Sequence, residues 1–169
     1  MTRRRILALL ATAELLGMSA WFSASALAPQ LSELWHLSES EAGWLTTVVQ
    51  LGFVVGTAAA AVLNLADIIP SRFYFAGAAV LAGTVNAALL VAPSYPAALV
   101  LRFATGVCFA GVYPPAMKMI ATWFKDGRGL AIGTIVGALT VGKATPYLVH
   151  AFPGTGANAV VTAGSDRNR

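Results

Sequence analysis

Val100-Leu-Arg-Phe-Ala-Thr-Gly-Val-Cys-Phe-Ala-Gly-Val-Tyr-Pro-Pro-Ala-Met-Lys118, continued by Met119-Ile-Ala-Thr-Trp-Phe124, is an apolar run with one arginine near its start. Arg102 is costly in such a run unless it faces a protein interior or a water-filled cavity, which makes it a functional candidate by default. Gly106 and Gly111 allow another backbone to approach closely. The Pro114-Pro115 pair is tolerated where neighbouring helices re-satisfy the freed carbonyls. The stretch reads as one helix of a polytopic membrane protein.

Composition agrees with that reading. Of 169 residues, 57% are hydrophobic and only 11% charged. A soluble domain carries roughly a quarter charged residues, so this chain cannot clothe a water-facing surface. The net charge of +4 sits in short segments between apolar runs, which suits an insertion signal rather than a nucleic-acid patch, and no nucleic-acid partner is expected. Cys108 is the one cysteine, so there is no internal disulfide and no cysteine cluster for a metal.

Working outward, the expected fold is all-α, a polytopic bundle over residues 1–152 with spans at about 6–28, 43–65, 73–92, 96–118 and 129–152. Each is long enough, at about 1.5 Å per residue, for a roughly 30 Å hydrocarbon core. Ala26-Leu27-Ala28 has the look of a signal-peptide cleavage site. Against cleavage, the apolar part is too long, Glu14 lies within it and Pro29 would follow the cut. Pro29 to Ala42 reads as a polar connection. Gly52 and Gly56 lay small residues on one face of the second span, and Gly133 and Gly137, with Gly129, form a similar stripe on the fifth. Residues 153–169 read as a polar tail in which a sixth apolar segment starts at Ala159 and is cut off at Asp166.

Arg3, Arg4, Arg5, Arg72, Lys125 and Arg128 fall on one side, with Lys118 near it, whereas Glu33, Glu39 and Glu41 fall on the other. The positive-inside rule then places the N-terminus in the cytoplasm of a multi-pass inner-membrane protein.

The loop Leu63-Asn-Leu-Ala-Asp-Ile-Ile-Pro-Ser-Arg72 resembles the Gly-x-Leu-Ala-Asp-Arg-x-Gly-Arg-Arg loop of major facilitator superfamily transporters, in their N-terminal half. Leu65, Ala66, Asp67 and Arg72 match, while Leu63, Ile68, Pro70 and Ser71 depart. The resemblance implies a cytoplasmic gate resting on Asp67 and Arg72. Arg102-Phe-Ala-Thr-Gly106 is similar to the family's Arg-x-x-x-Gly pattern, and Tyr113-Pro114, Trp123-Phe124 and Arg128-Gly129 resemble its run into the fifth helix. The antiporter signature Gly-x-x-x-Gly-Pro-x-x-Gly-Gly is not reproduced, since Ala138 follows Gly137. The resemblance covers about residues 6–152. It implies transport of a small solute by alternating access around a midplane site between two six-helix bundles. Five helices of one bundle are present here, so the expectation is an incomplete N-terminal portion, with a second chain able to supply the missing helices. The alternative is a non-transporting assembly subunit or the inert remnant of an interrupted transporter gene.

Arg102 lies roughly 9 Å inside the outer face and Lys143 about 20 Å from the inner face, a similar depth. Two cations at one level favour an organic anion as solute. The structural alternatives are bonding of Arg102 to backbone carbonyls and snorkelling of Lys143 to the interface. Glu14, roughly 12 Å from the inner face, is a candidate to carry a coupling proton, or else to pair with a neighbouring cation. With Met18, Trp21 and Ser25 it shares one helical face. No His pair has metal-ligand spacing and no phosphate-binding loop or Gly-x-Ser-x-Gly nucleophile is present, so no cofactor, metal or catalysis is expected.

Overall fold

The computed structural model describes residues 2–26 and 28–151. The interrupted sixth segment expected after Ala159 lies outside the described residues. Among the described residues every regular element is helical.

The first helix, α1, spans Arg3–Ala26. A short helix, α2, Ala28–Trp35, follows it where a polar connection was expected. Pro29 sits in its first turn, where a missing N–H costs nothing. Its Leu31 and Trp35, four residues apart, pack on Leu45, Leu89 and Ala98, so the connection is tied to the bundle. His36, at φ 52°, ends it.

The second span, α3, runs Glu39–Val62 and begins earlier than the apolar pattern suggests. Ser38 and Glu41 form a capping box: the Glu41 amide donates to Ser38 Oγ at 3.3 Å, and the Ser38 amide donates to Glu41 Oε2 at 2.8 Å. The Ser-x-x-Glu spacing carries that signal in the sequence. One turn of helix, α4, Leu65–Ile68, leads into α5, Ser71–Ala88, which tightens into a 3-10 turn at Leu89–Val91.

The expected fourth span is two helices, α6 (Tyr95–Phe109) and α7 (Tyr113–Trp123). Pro114 and Pro115 have no N–H to return to the carbonyls of Ala110 and Gly111, so the α-helical ladder stops there. Gly111 and Val112 instead donate three residues back, to Cys108 and Phe109, both at 3.0 Å. A Cβ at Gly111 would lie 2.6 Å from that of Ala78, so the break is held against α5.

The last described helix, α8, spans Arg128–Ala151. Among the described residues four segments are long and apolar enough to cross a membrane: Arg3–Ser23, Glu39–Val62, Ser71–Val91 and Tyr95–Trp123. The fifth expected span, α8, matches α1 and α3 with 24 residues and carries Lys143, Pro146 and several threonines. Thr134, Thr140 and Thr145 return their hydroxyls to carbonyls four residues back at 2.9–3.0 Å, which leaves none of the three bare.

The closest helix pairs are α1 with α8 and α3 with α6. In the second pair the backbones nearly touch. A Cβ at Gly52 would run into the Phe103 carbonyl, one at Gly106 into the Val49 carbonyl, and one at Gly56 would lie 2.9 Å from Val107 Cα. The stripe expected on α8 does no such work: nothing approaches Gly133 or Gly137 within 4 Å of a Cβ. The buried side of α8 is Ala131, Ile135 and Leu139, two residues out of step and so about 200° around the helix. Close approach to α1 falls to Gly142, whose Cβ would meet the Leu15 carbonyl and Met18. Large apolar side chains cover the outside instead, with Val62 80% and Leu130 78% exposed, the arrangement expected when lipid is the solvent.

Candidate functional site

Three sets of polar side chains stand out, two within the bundle and one exposed at its end. The deepest centres on Arg102 of α6, which has no solvent exposure. Its Nε donates to the Leu45 carbonyl at 3.1 Å, Nη1 to Asn86 Oδ1 at 3.1 Å and Nη2 to the Trp21 carbonyl at 2.6 Å. Asn86 Nδ2 donates in turn to Ser23 Oγ at 3.2 Å. One guanidinium therefore ties α1, α3 and α5 to α6. Arginine suits this role because its planar fork presents several donors in fixed directions.

The second set lines a cavity of about 430 Å³ bordered by α1, α3, the α6–α7 break and α8. Helix α1 turns Glu14, Met18 and Trp21 toward it, so the face read from their spacing is the inner one. Ser25, further along that face, shares a 2.7 Å hydrogen bond with Thr46 of α3. Trp21 meets Phe53 edge-on and Phe109 at a tilt, each with ring centroids 5.4 Å apart, and the three make an aromatic wall. Glu14 is 1% exposed, and its Oε1 has no hydrogen-bond partner. Lys143 lines the same cavity, with its Nζ 5.7 Å from the centroid of the Phe22 ring, within cation–π reach.

These positions correct one expectation. Arg102 is not among the residues lining the cavity, because its donors are taken by carbonyls and an amide. Arg102 reaches Trp21 and Lys143 reaches the next residue, Phe22. Contacts with neighbouring residues of α1 nevertheless do not bring the two cations together, and the case for an anionic solute loses one of its two charges. Neither does Glu14 pair with a cation; among the described residues the one ion pair lies elsewhere.

That pair is the third set. Lys118 Nζ, on α7, donates to Asp67 Oδ1 at 2.7 Å and to the Ala66 carbonyl at 2.8 Å. The hydrogen bond and charge of Lys118 hold the exposed Asp67 carboxyl below the usual aspartate range. Arg72, the residue expected to work with Asp67, lies instead over the Phe73 ring, 4.6 Å from its centroid. Lys118 was the missed member of this set. Its signal was a lone lysine in an apolar helix, as lone amides in apolar spans marked Asn86 and the cavity-lining Gln50.

The bundle thus combines membrane-type helices with a half-open cavity lined by a buried acid, Glu14, and an exposed lysine, Lys143. Residues 9–152 match the family model described as Major Facilitator Superfamily, and the chain belongs to that transporter family. No curated protein and no solved structure matches it.

Proposed function

We propose that this chain serves secondary transport of a small solute by alternating access, with the cavity between α1, α3, the α6–α7 break and α8 as the solute site. The observation that carries this is the placing of Glu14 and Lys143 in one cavity with no ion pair between them. Charged groups are kept at such depth, in a bundle otherwise apolar, where they meet a solute or a coupling ion. Glu14 is the residue proposed to carry a coupling proton. Arg102 is proposed as the bolt that keeps α1, α3, α5 and α6 moving as one body. Asp67 and Lys118 form the proposed latch on the cytoplasmic side of an inner membrane, with Arg72 nearby in sequence.

The test is water access. Thr140 lines the cavity, and Thr140→Cys in a Cys108→Ser background gives it a reporter thiol. A membrane-impermeant maleimide should label that thiol when added to either face of sealed vesicles. Labelling from one face only, or from neither, would overturn the reading.

A further inference from the structure

Resting on the reading of the cavity as the solute site, we infer that it takes an amphipathic organic monocation, whose charged end meets Glu14 and whose apolar body lies on the aromatic wall. An ionised carboxyl taken out of water needs a counter-charge, and the described residues supply none, because Oε1 of Glu14 has no partner and no cation among them pairs with it. Further along α1, Trp21 with Phe53 and Phe109 forms the wall whose area buries the apolar body.

Lys143 sets the polarity. Its ammonium lies over Phe22, eight residues beyond Glu14 on α1, which is about 12 Å along the helix. A monocation therefore lies with its charge at the Glu14 end, away from Lys143. A long dication with a charge at each end meets repulsion at the second. The solute class expected from charge counting in the sequence, an organic anion, has only Lys143 to bind and faces Glu14 when that group is ionised.

Tetraphenylphosphonium and tetraphenylborate have the same shape and opposite charge, and they decide the matter with the full chain in detergent or lipid nanodiscs. The phosphonium should bind saturably, more tightly than the borate, and Glu14→Gln should weaken it at least tenfold. Lys143→Met should admit a long bis-quaternary ammonium that the unsubstituted chain rejects. Should Glu14→Gln fail to fold, protection of the Thr140→Cys thiol answers the same question, because the phosphonium should slow its labelling and the borate should not. Equal phosphonium binding by a folded Glu14→Gln variant, or borate binding that is preferred and depends on Lys143, would overturn the inference. A Thr140→Cys thiol that water-borne maleimide never reaches would instead remove the solute-site reading beneath it.

Discussion

Arg102 donates to the backbone carbonyl of Trp21 at 2.6 Å, so the cation of α6 is fastened to the helix that carries Glu14. Two more donors of the same guanidinium end on Leu45 and Asn86. The residue is a positioning group for the cavity rather than part of its lining.

Arg102→Ala should therefore act first on stability. Removing the side chain takes away three hydrogen bonds from a charged donor, two of them to carbonyls that keep their helical partners, at about 1.5–3 kcal/mol for each bond lost. In a chain of this size that lowers the unfolding midpoint on the order of 10 °C. Thermal unfolding in detergent, followed by circular dichroism, measures it. An unchanged midpoint would show that the three contacts carry no weight.

Glycines should divide by position. Gly106→Ala puts a methyl group into the Val49 carbonyl and should cost about 1–3 kcal/mol or more. Gly133→Ala meets open space and should gain up to about 1 kcal/mol from helix propensity. The same melting experiment compares them, and equal effects would contradict the helix register described above.

The latch should tolerate ordinary changes of pH. Because Lys118 depresses the Asp67 carboxyl, the ion pair persists above the usual aspartate range and is lost only as pH falls through the lowered one. Asp67→Asn should reproduce that acid state at neutral pH and speed cytoplasmic-side labelling of Thr140→Cys. Wild-type labelling should stay constant from mildly acid to mildly alkaline buffer. A rate that tracks pH across that interval would point to another group.

Orientation can be read with two further thiols in the Cys108→Ser background. Thr2→Cys should resist an impermeant maleimide in intact cells, whereas Glu39→Cys should react. The reverse pattern would invert the proposed topology.

Much of this protein could be read from its residues. The apolar runs separated by short basic loops specify a membrane bundle, because a chain so poor in charge has no water-facing alternative. Glu14, Arg102 and Lys143 stood out because an ionisable group is expensive at that depth wherever it points. Where each one points was a different matter. The choice of Arg102 for Trp21, Leu45 and Asn86 depends on three helices distant in sequence converging on one guanidinium, which no local pattern encodes. A four-residue glycine stripe on α8 names a smooth face, yet only the neighbours decide whether that face is covered. The contacts with α1 and α7 bury Ala131, Ile135 and Leu139 and leave Gly133 and Gly137 bare. Periodicity and transfer cost act along the chain and are legible there, whereas partner choice is set by helix packing and belongs to the tertiary structure.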